Sequence, residues 1–291
     1  GIQIVAARYL GDKGFGTFAF GFSLTGILMI LIDSGINTYL IREISRDPEK
    51  ISNYLGNAFL LKRWLFATGI LILSFMQVVT ELDGDTQLVV WAIGLAMLIN
   101  GYADTYIVVF RAFENMSLVS ALMILQRGLF FLGGFTLLLL GYKVAPLSLA
   151  FLGVACINLV IARWQMQKRH GHKSWVPNWS VAKTVFMQSL PIGGTILFTY
   201  IYFRIDTVML FFMRGESETG WYSAALKLVE TMVILIAGIR NAIFPILSRT
   251  YAEEKGRFVQ IWREASRFLL IVTLPLACGI ALLAPRMVET L

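Results

Sequence analysis

The sequence predicts an all-α polytopic membrane protein. Three observations lead there. Of 291 residues, 57% are hydrophobic and 15% charged, and the mean hydropathy is +0.70; a soluble domain carries about 25% charged residues. The apolar residues fall in long runs, and a bilayer needs about 20 in a row. Lys and Arg gather in alternate connectors, the mark of membrane topology. The net charge of +7 and the pI near 9.5 follow from that topology, so the basic balance does not point to nucleic acid.

Each element follows in order. The opening "GIQIVAARYLG" is too short to span and reads as the tail of a helix, so the chain is expected to be a piece of a longer protein, cut at both ends. Spans are expected near 14–41, 53–79, 87–111, 116–140, 145–167, 184–213, 219–245 and 258–284. The connectors are short: "RDPEK", "TELDGDTQ", "AFEN", "YKVAP" and "GESE". The exception is "QKRHGHKSWVPNWSVAK", which is polar and basic and carries Pro177. The expected organisation is an N-terminal six-helix lobe over 1–168 with its first helix truncated, a basic linker over 169–183, and three helices opening a second lobe over 184–291.

Arg42, Arg46 and Lys50, then Arg111, then Lys168, Arg169, Lys173 and Lys183, then Arg249, Lys255 and Arg257 mark one set of connectors as cytoplasmic. "TELDGDTQ" has no basic residue, and its set is expected outside, with the N-terminus cytoplasmic. Trp91, Trp221 and Tyr142 fall at expected outer ends, and Trp164, Trp175 and Trp179 near the inner face, as aromatic belts do.

An internal repeat runs through the chain. "GINTYLIREISR" (35–46) aligns with "GIRNAIFPILSR" (238–249), "GTF" at Gly16 with "GWY" at Gly220, and "KRWLF" at Arg63 with "SRFLL" at Arg267. The offset of about 204 residues is six helices. Three matches in register argue for two related lobes, an arrangement typical of transporters.

The opening "AARYLGDKGFGTFAFGFSLTGILMILIDSGINTYLIREISRD" carries Arg8, Leu10 and Gly11, then Gly16 and Phe18, then Asp33 and Gly35. A second signature, "SLPIGGTILFTYIYFRIDTVMLFFMRGESETGWYSAALKLVE", carries Pro191, Asp206, Gly220, Tyr222 and Ala225, and "IFPILSRTYAEEKGRF" closes the next helix. In order and spacing these resemble the polysaccharide biosynthesis proteins, the O-antigen and oligosaccharide-lipid flippases of the multidrug/oligosaccharidyl-lipid/polysaccharide exporter superfamily. The resemblance implies a two-lobed transporter bundle in a bacterial or archaeal cytoplasmic membrane, moving a lipid-diphosphate-linked oligosaccharide to the outer leaflet by alternating access. The partners implied are that lipid-linked oligosaccharide, membrane lipids and polysaccharide polymerase machinery, with no nucleic acid, no cofactor and no metal.

Charges inside the apolar runs are the candidate site. A charge near a helix centre costs roughly 2.5 to 3.5 kcal/mol on insertion scales, so each needs a partner or a wet cavity. Residues equally far from a helical turn lie at equal depth. That rule matches Asp33 with Arg63, Asp104 with Arg127, Asp206 with Lys227, and Arg204 with Glu230. Arg204 and Asp206 are two residues apart and cannot share a face, whereas Lys227 and Glu230 can. The favoured arrangement turns Asp206 to Lys227 and leaves Arg204 facing a cavity. There its guanidinium would meet phosphate bidentately, with Arg63, Arg127 and Lys227 sharing the site. The competing reading makes all of these structural ion pairs, and for Asp33 and Asp104 the two readings weigh equally.

Other polar positions have plainer readings. Asn37 and Asn100 are candidate interhelical hydrogen bonds. Pro191, Gly193, Gly194 and Pro245 are candidate hinges. Gly16, Gly21 and Gly26 suit close helix packing. Cys156 and Cys278 are expected as small core hydrophobes, and His170 and His172 as solvated loop residues, too few for a metal. Two other functions compete. In an ion-coupled drug exporter, Asp33 or Asp206 would titrate. A membrane glycosyltransferase or acyltransferase is disfavoured because no expected span carries a His and no His-x-x-Glu-His motif is present.

Overall fold

A computed structural model describes residues 2–80, 82–170, 177–227, 229–230, 250 and 255–290. Among these residues the regular structure is helical and no strand occurs. The helices are α1 (Ile2–Asp33), α2 (Ile36–Arg46), α3 (Ile51–Val79), α4 (Gly84–Ala112), α5 (Met116–Leu139), α6 (Val144–His170), α7 (Trp179–Arg214), α8 (216–227) and α9 (Lys255–Thr290). Six of the described helical stretches are long and apolar enough to cross a membrane, the last of them Trp179–Arg214. This is a multi-pass membrane protein. The expected span at 219–245 lies largely outside the described residues.

The expected span over 14–41 is two helices rather than one. Ser34 and Gly35 adopt φ 48° and 75°, in the left-handed region, and separate α1 from α2. Glycine enters that region without steric cost. The Ser34 hydroxyl donates to the Leu31 carbonyl at 2.6 Å, so the end of α1 keeps a partner for its last turn. α2 then buries Ile36, Tyr39, Leu40 and Ile44, an apolar stripe at helical spacing, and leaves Arg42 and Arg46 exposed. Gly11, at φ 69°, breaks α1 near its start, where the sequence suggests a stub.

Side-chain caps fix two later helix starts. Asn115 accepts from the Leu118 amide ahead of α5, and Asn178 from the Ser180 amide ahead of α7. The Asn178 amide also donates to Asn57 Oδ1 at 2.7 Å, tying the end of the basic linker to α3.

The chain divides into two compact units, Gly1–Gly220 and Trp221–Leu291. In the first, α4 packs against α6 and α1, and α7 lies along α1, α2 and α3. The helix expected to open the second lobe thus sits in the first compact unit. One core gathers Ile36, Leu40, Ile44, Leu55 and Phe110; another gathers Phe20, Leu24, Leu73, Val208 and Phe211. Phe20 of α1 stacks on Phe211 of α7 with ring centroids 3.8 Å apart. Trp64, Leu71, Phe75 and Val78 of α3 point outward. Cys156 and Cys278 do not sit in the core as expected; both are exposed. On a membrane helix the outer face meets lipid, which is as apolar as a core. In the second unit, α9 is the long helix.

Candidate functional site

Lys62 is the most deeply buried ionised side chain of the first unit, at 4% exposure. Its ammonium donates to Asp33 Oδ1 at 2.8 Å, to Asn37 Oδ1 at 3.0 Å and to the Gly101 carbonyl at 2.8 Å. An ammonium has three protons, and all three are used. Asp33 is the last residue of α1, where a carboxylate meets the negative end of the helix dipole. Lys62 offsets both. Thr105 adds a hydroxyl to Asn37 Oδ1 at 3.4 Å. A void of about 20 Å³ beside Asp33 and Lys62 is lined by Met29, Phe66, Met97 and Tyr102, room for about one water.

The cation paired with Asp33 is therefore Lys62 and not Arg63, which is exposed on the adjoining face of α3. Sequence reasoning missed Lys62, although the signal was present. Leu55, Ala58, Lys62, Gly69 and Leu73 are all buried and fall within about 60° of one another on a helix, while Arg63 stands about 80° from Leu55.

A second polar centre is uncharged. Asn100 Oδ1 of α4 accepts from Gln126 Nε2 of α5 at 2.8 Å and from Asn158 Nδ2 of α6 at 3.3 Å. Asn37 and Asn100 thus do bridge helices. Asp104 and Arg127 do not pair among the described residues: Arg127 is exposed, and its neighbour Gln126 is the residue that reaches α4.

α7 carries the remaining candidates. Arg204 is half-buried, with its guanidinium carbon 6.0 Å from the centroid of the Tyr200 ring one turn back, a cation–π distance. The Tyr200 hydroxyl in turn lies against Gly26 of α1, where a side chain would not fit. Asp206 Oδ1 accepts from the Thr207 amide at 2.7 Å. Pro191 lies inside α7, which continues through it as helix. Gly193 packs on the Ser34 backbone, and a methyl at Gly35 would come within 2.5 Å of the Gly193 nitrogen. Gly194 has open space beside it. In the second unit, Lys227 bonds Glu230 at 2.7 Å, the i, i+3 residue on its own face. Pro245 lies outside the described residues, as does the His172 loop.

α1 and the start of α8 meet through glycine. A side chain on Gly16 would run into the Glu216 carbonyl, and one on Gly220 into the Asp12 carbonyl. The Ser217 hydroxyl donates to Asp12 Oδ2. Gly11 and Gly215 share an unusual backbone, φ 69° and ψ −178° against φ 84° and ψ −168°. Each of these pairs, Gly11 with Gly215 and Gly16 with Gly220, is separated by the repeat offset of about 204 residues.

The family described as "Polysaccharide biosynthesis protein" matches residues 2–251. The chain belongs to the polysaccharide biosynthesis protein family. A curated relative, the "Probable low-salt glycan biosynthesis flippase Agl15" of Haloferax volcanii, is 23% identical over 261 residues. That alignment covers 87% of this chain and 52% of the relative, so this polysaccharide biosynthesis protein spans about half the length of the relative it matches. No solved structure matches it.

Proposed function

We propose that the protein acts as a flippase, carrying a lipid-diphosphate-linked oligosaccharide across the cytoplasmic membrane by alternating access. Family membership over residues 2–251 and the glycan flippase relative support the class. The observation that carries the substrate reading is Arg204: a guanidinium held half-buried in the apolar length of α7 over Tyr200. Its planar fork suits diphosphate oxygens. Arg63, Arg127 and Lys227 are the further cations we assign to the substrate path. The glycine contact between α1 and α8 supports alternating access, since small residues let helix backbones meet and part with few side chains to disengage. Ion-coupled drug export gains nothing from Asp33, whose charge Lys62 neutralises. The reading extends to the two-lobed division, to polymerase machinery as partner, and to an outward "TELDGDTQ" connector.

Two experiments test it. Arg204→Ala should abolish surface polysaccharide at nearly unchanged protein level, and Arg204→Lys should rescue in part, keeping charge but losing the fork. An alanine variant that fails to accumulate would make Arg204 structural. For orientation, single cysteines at Asp83 and Lys183 in intact cells should react with an impermeant thiol reagent only at Asp83; the opposite pattern inverts the topology.

A further inference from the structure

At the end of the bundle where Gly16 of α1 meets the start of α8 lies a cavity of about 350 Å³, inside the range of small-molecule pockets, roughly 300 to 1,000 Å³. Four separate chain segments wall it: α1 around its break at Gly11, the α3–α4 connector, the α5–α6 connector, and Glu216 at the start of α8. Tyr9 and Tyr142 supply two half-exposed rings, Asp83, Asp85 and Glu216 three carboxylates, and Lys143 an ammonium, with Lys13 a second. The flippase reading uses none of these side chains. Sequence reasoning took this connector only as a marker of orientation.

The lining restricts the occupant. Three carboxylates against two ammonium groups repel a phosphate. The carboxylates do not form a metal site either, since among the described residues no three potential ligands cluster. An apolar molecule would leave the charges without water. A neutral, hydroxyl-rich molecule meets every demand. Its hydroxyls donate to the carboxylates in charge-assisted bonds and accept from the lysines, and its C–H faces lie on the tyrosine rings. We infer that this cavity is a saccharide-binding subsite for the neutral sugars of the glycan, distinct from the cation-lined path assigned to the diphosphate. As a statement about transport it rests on the flippase reading. Glu216 joins the two features: its carboxylate accepts from the buried Thr86 hydroxyl at 3.2 Å, while its backbone carbonyl covers Gly16. A sugar held here therefore favours the state in which α1 and the α7–α8 corner are together.

The test is saturation-transfer NMR on the intact protein in lipid nanodiscs with three neutral trisaccharides: maltotriose, chitotriose and mannotriose. At least one should receive saturation. Asp85→Asn and Tyr142→Ala should each weaken that ligand about tenfold, the loss of one charge-assisted bond or one stacking face. Tyr142→Phe, which keeps the ring, should bind as before. Transfer to none of the three, or transfer equal in Asp85→Asn, Tyr142→Ala and the parent, overturns the subsite. Surface polysaccharide in cells separates the two proposals. Binding without translocation by the intact protein refutes the flippase reading and leaves the subsite standing. Translocation with no saccharide binding refutes the subsite alone.

Discussion

The two buried polar centres join helices by different means. Around Lys62 a full charge is surrounded by a carboxylate, an amide and a backbone carbonyl, beside a helix that stops at Asp33 and restarts at Ile36. Around Asn100 three side-chain amides bond across α4, α5 and α6, all continuous there. An ion pair taken out of water loses several kcal/mol of hydration per ion and needs good geometry to recover it. Amides lose far less. Two of the charged centre's acceptors, Asp33 and Asn37, flank a helix break and the third is the Gly101 carbonyl of α4, whereas the neutral centre lies where no break exists. The difference teaches that depth in the membrane does not decide which polar groups are tolerated; the acceptors within reach do.

The largest expected effect comes from breaking the charged centre on one side. Lys62→Met leaves Asp33 buried beside a helix C-terminus and should destabilise by about 3–5 kcal/mol, read as a loss of folded protein on heating in detergent. Asp33→Leu with Lys62→Met should recover much of that loss. If the double variant is as unstable as the single one, the centre is not an ion pair in energetic terms, and the contrast with Asn100 fails.

A smaller effect tests whether the break and the charge belong together. Gly193→Val would place a side chain on the Ser34 backbone, which cannot move aside as a flexible side chain could. Overpacking of this kind costs about 1–3 kcal/mol. Thermal unfolding should show that loss, and it should shrink when Lys62→Met is already present, because the two act on one corner of α1. Strict additivity would separate them.

The smallest effect belongs to the neutral centre. Asn100→Leu removes the acceptor shared by Gln126 and Asn158, and hydrogen bonds between membrane helices average about 0.6 kcal/mol, up to about 1.7. A loss as large as that of Lys62→Met would erase the distinction between the centres.

The helices themselves were legible in the sequence. The spans expected from 53–79 through 184–213 meet α3 to α7 with ends shifted by a few residues. The break at Ser34 was not, because the apolar run crosses it and only two residues leave the helical region. Depth was legible too. Counting from the turns came within one residue for Asp33, whose partner is Lys62 rather than Arg63; in the next hairpin Gln126, the neighbour of Arg127, reaches Asn100, one turn from Asp104. Counting gives height along a helix, but one residue turns the side chain by about 100°. The azimuth had to come from the buried stripe. For Gln126 that stripe begins at Val119 and Leu122. Arg204 shows the limit of both methods, since neither height nor stripe reveals the Tyr200 ring 6.0 Å from its guanidinium.

The glycine contact has a consequence for how this chain can change over generations. Gly16 meets the carbonyl at 216 and Gly220 meets the carbonyl at 12, the same contact read in both directions across the repeat. A patch in which i touches j while the counterpart of j touches the counterpart of i is what two identical subunits make about a two-fold axis. Within one polypeptide the two copies of this short motif contact each other in that reciprocal way. A substitution in either copy of the motif is felt by both, so the two glycines constrain each other although the residues around them differ.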